Sequence, residues 1–122
     1  MPILEIEIVT RPGESLRPSL AAELAQRAGK VFASPLGGTW VRLHPLPAEY
    51  YAENRDGPEM NPFPVFVSVL KAGLPRPAEM QAEVRSLSEV IAELCSRPVE
   101  NVHILYLPQA AGRLAFGGIL VT

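Results

Sequence analysis

Met1-Pro2-Ile3-Leu4-Glu5-Ile6-Glu7-Ile8-Val9 is the stretch on which the reading of this chain turns. Ile6 and Ile8 alternate with Glu5 and Glu7, the period-two pattern of a half-buried strand. A proline that opens a strand removes no ladder hydrogen bond, so Pro2 has a complete structural explanation as a tolerated first residue. It also has a chemical one. Loss of Met1 turns the Pro2 nitrogen into a secondary amine anchored by a strand. An α-amino group has an unperturbed pKa of about 7.7–8, and burial lowers it, so such an amine is a general base near neutral pH without help from histidine.

Outward from this strand, Thr10-Arg11-Pro12-Gly13 reads as a turn. Ser15 is placed to cap a helix that takes Pro18 into its first turn, with Leu16, Leu20, Leu24, Ala28 and Val31 along one apolar face. Pro35-Leu36-Gly37-Gly38 closes that helix, and residues 39–43 form a second strand that Pro45 and Pro47 end. Residues 48–63 hold Tyr50, Tyr51, Asn54, Arg55, Asp56 and Gly57 without periodicity. They are too long for an ordinary connection and read as a binding lid or a linker. The pattern then restarts. Residues 64–70 are a strand that again opens on proline, and Gly73, Pro75 and Pro77 make a turn. Met80, Val84, Leu87, Ile91 and Leu94 stripe a second helix that Arg97-Pro98 ends, and residues 102–107 are a fourth strand. The tail, 109–122, is a glycine-punctuated hairpin.

The two halves, 2–47 and 64–108, match at a spacing of about 61 residues, with Pro2 near Pro64 and Val41-Arg42-Leu43-His44 over Val102-His103-Ile104-Leu105. The expected fold is therefore α/β, one domain over 1–122. Duplicated β-α-β units form a four-stranded mixed sheet with two helices on one face. The other face still carries Val, Ile and Phe, with no third helix to cover it, so assembly with further copies is expected. A hydrophobic fraction of 48% argues for a packed core, and a net charge of −2 with mixed signs offers no basic stripe for nucleic acid. Cys95 is the single cysteine and falls in a helical apolar pattern, which leaves no internal disulfide. No signal peptide and no apolar run of about 18 residues is present, so a soluble cytoplasmic protein with no membrane partner is expected.

A proline directly after the initiator methionine, opening a strand in a duplicated β-α-β chain, resembles the tautomerase superfamily, and the resemblance spans the whole chain. Pro2-Ile3 is similar to the opening of the 4-oxalocrotonate tautomerase branch, as is the run from Val102-His103-Ile104-Leu105 through Gly112 to Phe116-Gly117-Gly118. Ser68-Val69-Leu70-Lys71-Ala72-Gly73 and Gly29-Lys30 resemble the macrophage migration inhibitory factor branch. The segment from Ser34-Pro35-Leu36-Gly37-Gly38 to Val41-Arg42-Leu43-His44 resembles the 5-carboxymethyl-2-hydroxymuconate isomerase branch.

The resemblance implies a homotrimer with sites at subunit boundaries and cofactor-independent proton transfer on small enol or oxo acids, with Pro2 as base. It implies a substrate-binding role for Arg42 and Arg11, a pocket cation at Lys30 and a pocket wall at Val69. His103 stands where other members have arginine or tyrosine, Leu105 where one has asparagine, and Leu114 where the short members carry an aromatic residue, with Phe116 two positions on. His103 and Phe116 complete the expected substrate contacts. Each of these residues also has a plain structural role available. Arg42 and Arg11 suit surface ion pairs, and Lys30 suits the helix dipole. His44 and His103 hold equivalent places in the two halves but have no carboxylate or cysteine at ligand spacing, so no metal is expected. Tyr50 and Tyr51 stack on a ligand or cover a subunit face. Two other functions stay open: hydration or dehalogenation of an unsaturated acid, with a protonated proline as acid and a carboxylate activating water, and a non-catalytic trimeric binding protein if Met1 is kept.

Overall fold

Leu4, Ile6 and Ile8 are fully buried, and the strand that carries them, β1 (Ile3–Thr10), occupies an interior position in the sheet. The computed structural model describes residues 1–55 and 62–122. In chain order β1 is followed by helix α1 (Leu20–Val31), β2 (Trp40–Pro47), β3 (Val65–Leu70), α2 (Pro77–Cys95) and β4 (Val102–Tyr106). The sheet order is β2-β1-β3-β4. β1 pairs in parallel with β2 and β3 in parallel with β4, while β1 and β3 run antiparallel and join the two units. This is the duplicated β-α-β architecture expected from the sequence.

Both helices cover one face. Leu20, Leu24 and Ala28 of α1 and Leu87, Ile91 and Ala92 of α2 pack on Leu4, Ile6 and Ile8 and on Val65, Val67 and Val69 of β3. Each fully buried aliphatic side chain is worth about 1.5–3 kcal/mol, so the valine and isoleucine alternation alone selects this face.

Three local expectations change. α1 begins at Leu20, with Ser19 rather than Ser15 at its N-cap, and Pro18 lies outside it. The reason is steric: the residue before a proline avoids the helical region, so Arg17 cannot carry a helical turn through Pro18. β2 does not stop at Leu43 but runs through Pro45 to Pro47. It is an edge strand, and a proline there can turn its missing donor outward. The open face is not a bare apolar surface. Alternation from the buried set puts Ile3, Trp40, Phe66 and Leu105 there, but also Glu5, Glu7, Arg42 and His44. The apolar case for assembly is correspondingly narrower.

Of the long connection 48–63, Ala48–Tyr50 is a single 3-10 turn, and the Tyr51 ring lies 5.8 Å from Phe66. The chain after β2 is thus brought to the open face at β3. Asp56 and Gly57 lie outside the described residues. In the tail, β5 (Ala115–Phe116) pairs antiparallel with β6 (Ile119–Leu120). The two-residue turn between them is Gly117-Gly118, both with positive φ (57° and 88°), a conformation that excludes most side chains.

Candidate active site

Pro2 is buried at the head of β1. Its carbonyl accepts the Trp40 backbone N–H at 3.0 Å, which locks the start of β1 to the start of β2. Met1 stands ahead of it, half exposed at 50%, so the Pro2 nitrogen is here a tertiary amide and becomes an amine only when Met1 is removed. One position further on, Ile3 pairs with Trp40 on one side and with Leu70 on the other. The Trp40 indole N–H donates to the Gly37 carbonyl at 3.0 Å, and its ring meets Phe116 edge-on at 5.0 Å between centroids and 81° between planes. The tail that delivers Phe116 is itself anchored beside Leu70. Ala110 N–H donates to the Lys71 carbonyl at 2.9 Å, and Ala111 N–H to that of Ala72 at 3.1 Å. Pro2, Trp40 and Phe116 therefore share one end of the sheet.

Arg42 lies opposite Glu5, about 10 Å along β1 from Pro2 at the usual rise per residue. Its guanidinium is paired with the Glu5 carboxylate at 2.5 Å, and the other Glu5 oxygen is 2.7 Å from His44 Nε2. Both partners are well exposed, so this pair contributes little to stability. The His103 ring lies against Phe66, tilted by 39° at 5.5 Å between centroids. Phe66 pairs with Glu7, which puts His103 about 17 Å along the sheet from Pro2.

Arg11 follows the far end of β1, about 30 Å from Pro2 along an extended strand. There it pairs with Glu14 at 3.3 Å, donates to the Ser96 carbonyl at 3.1 Å and lies over the Phe63 ring at 5.6 Å. Val69 is fully buried among the core residues on the helix side. Lys30, near the end of α1, has no carboxylate at ion-pair distance among the described residues. It lines a cavity of about 460 Å³ with Gln26, Gly29, Ser34 and Leu36, and neither Pro2 nor Trp40 borders that cavity. Within one chain, then, the fold brings Phe116 to Trp40 at the Pro2 end of the sheet, sets Arg42 about 10 Å along it, and leaves Arg11 and His103 elsewhere.

Two features were not singled out from the sequence. Trp40 is one; its position at the second strand's start was visible, but its contact with Phe116 spans 76 residues of chain. The other is a half-buried polar cluster on the helix side of the same sheet end. Lys71 Nζ bonds Glu83 at 2.9 Å and lies 5.0 Å over the Phe32 ring, and the Tyr106 hydroxyl donates to Glu83. Burial, and then the Glu83 carboxylate, push the Tyr106 phenol well above its ordinary range, so it stays a donor. Cys95 is buried, and desolvation pushes its thiol up to about 11, which leaves it unreactive. Among the described residues, no group of three or more His, Cys, Asp or Glu is arranged to hold a metal ion, and no helix is long and apolar enough to cross a membrane.

The duplicated β-α-β sheet defines a class of fold, and solved structures share it. A fused 4-OT, wild type, solved as an asymmetric trimer, superposes with a TM-score of 0.77 at 18% identity over 97% of this chain and 94% of its own. The macrophage migration inhibitory factor of Oncomelania hupensis gives 0.70 at 24% identity over 98% and 81%. FG41 malonate semialdehyde decarboxylase, inhibited by 3-bromopropiolate, gives 0.71 at 17% identity over 94% and 88%. The chain shares the fold of these structures over nearly its whole length. No protein-family model and no curated protein sequence matches it.

Proposed function

We propose that this chain is a cofactor-independent tautomerase or isomerase of small enol or oxo acids, with the Pro2 amine, freed by removal of Met1, as general base. The observation that carries the reading is Pro2 itself, buried at the head of an interior strand with its carbonyl fixed by Trp40. A fold shared with 4-OT, the inhibitory factor and the decarboxylase supports it.

In this reading the amine's lone pair takes a proton from an enol hydroxyl or from carbon beside a carbonyl, leaving a conjugated enolate. The resulting ammonium returns that proton to another carbon of the same conjugated system, so no other reactant is consumed. Burial favours the neutral amine at the start of the cycle. Arg42, opposite Glu5 on β2, grips a substrate carboxylate by exchanging Glu5 for it. Arg11 and His103 are too far from Pro2 of their own chain, so a role for either requires another copy. Val69 shapes the site from beneath, as core. A homotrimer with sites at its subunit boundaries fits these distances, and 4-OT neighbours solved as trimers support it. We place the protein in the cytoplasm, acting on a small molecule and not on nucleic acid or membrane.

Hydration or dehalogenation needs a carboxylate free to activate water. Glu5, the acidic residue closest to Pro2 along β1, keeps its contact with His44 when Arg42 exchanges to substrate, which favours the tautomerase reading. The test is ketonisation of phenylenolpyruvate by protein shown by intact mass to begin at Pro2. Turnover that Pro2→Ala reduces supports the proposal. No turnover by the processed protein with this or other enol acids leaves the trimeric binding protein as the better account.

A further inference from the structure

We infer that the Lys71–Glu83 ion pair sets the protonation of the Pro2 amine. Lys71 is a positioning residue whose charge keeps that amine neutral, and Glu83 is the counter-charge that limits the effect. The inference deepens the proposed function and rests on its reading of Pro2 as a free amine.

The placement follows from the register. β1 and β3 are antiparallel, and their last pair at this end is Ile3 with Leu70. One residue further on, the same register sets Pro2 opposite Lys71, with about 5 Å between their Cα atoms. The two side chains also share a face. Pro2 alternates with the helix-side Leu4 and Ile6, and Lys71 with the helix-side Val67 and Val69. The backbone of Lys71 is fixed there, because its carbonyl accepts the Ala110 N–H at 2.9 Å.

The side chain is held as firmly. Its Nζ lies 2.9 Å from one oxygen of Glu83 on α2 and 5.0 Å over the ring of Phe32, the residue that caps the end of α1. The Tyr106 hydroxyl of β4 donates to the other Glu83 oxygen. Lys71 and Glu83 are only 18% and 14% exposed, so solvent screens them less than it screens the exposed Arg42 and Glu5. A pair of this kind adds little stability of its own once its desolvation is counted. What it supplies is a fixed cation and a fixed anion beside a buried nitrogen, the first disfavouring the protonated proline and the second favouring it. The other charges on the surrounding elements are engaged elsewhere. Arg42 pairs with Glu5 on the open face, Arg76 ahead of α2 pairs with Glu79, and Arg113 of the tail donates to the Pro108 and Gln109 carbonyls. Lys30 of α1 lines the cavity that Pro2 does not border.

The test is the titration of the Pro2 amine itself, read from its nitrogen NMR shift in processed protein labelled at proline, where an amine stands apart from the amide prolines. Glu83→Gln leaves Lys71 uncompensated and should lower the midpoint, raising the acid dissociation constant about twofold or more. Lys71→Met leaves Glu83 uncompensated and should raise the midpoint, lowering that constant about twofold or more. Lys71→Gln replaces the methionine variant if that one does not fold. The opposite signs separate charge from packing, since loosening this end of the sheet admits water in either variant and moves both midpoints the same way. A midpoint that shifts by less than this, or in the other direction, in either variant overturns the inference. If the midpoints split as expected and no enol acid is turned over, the pair tunes an idle amine and the proposed chemistry falls. If enol acids are turned over without the split, the chemistry stands and this inference falls.

Discussion

Arg97 has a side chain with 0% exposure, and all but one of its polar partners lie far off in the chain. Its guanidinium bonds both oxygens of Glu14, at 2.9 and 3.1 Å, and donates to the carbonyls of Val9 and Phe63 at 2.8 Å and Cys95 at 2.9 Å. It closes the end of the molecule opposite Pro2. Removing one member of such a buried pair costs about 3–5 kcal/mol, and Arg97→Met should lower the urea midpoint accordingly with the m-value unchanged. The Arg97 hydrogen bond holds the Glu14 carboxyl below the usual carboxylate range, against a smaller opposing effect of burial. A depressed folded pKa means stability that is present above the unfolded value and lost as pH falls through the folded one. The parent should therefore lose stability relative to Glu14→Gln as pH falls from about 5 to about 3, and urea titrations across that range check it. At the other end, Glu5→Gln removes the carboxylate that competes for Arg42. We expect it to lower KM for a carboxylated enol several-fold, and an unchanged or raised KM would take Arg42 out of substrate binding. The sequence showed Arg97 only as a helix stop. Its burial comes from residues 9, 14 and 63, and no local pattern reports contacts of that range.

At the scale of elements, what local periodicity controls was legible and what neighbours control was not. β1, β3 and α2 follow from alternation and apolar stripes, because one face of each is fully buried. The extent of β2 depends on its being an edge, and the seating of Tyr51 on Phe66 depends on where the connection crosses. Burial, and then Glu53, push the Tyr51 phenol up to about 12, so this contact keeps a neutral ring and hydroxyl at any ordinary pH. The tail was recognised as a hairpin, yet its partner was not. Phe116 meets Trp40 of its own chain, 76 residues away. Phe116→Ala should leave the four-stranded sheet intact and cost about 1 kcal/mol, while shifting Trp40 emission to the red as the ring loses its cover. An unshifted spectrum would mean the tail does not rest on Trp40 in solution.

For the whole molecule, the distances within one chain set the terms. Pro2, Trp40 and Phe116 gather at one end of the sheet, while Arg11 and His103 lie far along it. A monomer can supply the base and the aromatic wall but not the full set of contacts read from the sequence. We expect sedimentation equilibrium to give a trimer at micromolar concentration, and a stable monomer would remove Arg11 and His103 from the site. The central claim, however, concerns the nitrogen of Pro2 alone. Its most direct test is the rate of phenylenolpyruvate ketonisation by protein beginning at Pro2, compared with the same protein in which Met1 is retained. The account predicts turnover that rises with pH through the amine's titration in the first form and is abolished in the second. Equal turnover by both would contradict it, and Pro2 would then be no more than the residue that opens β1.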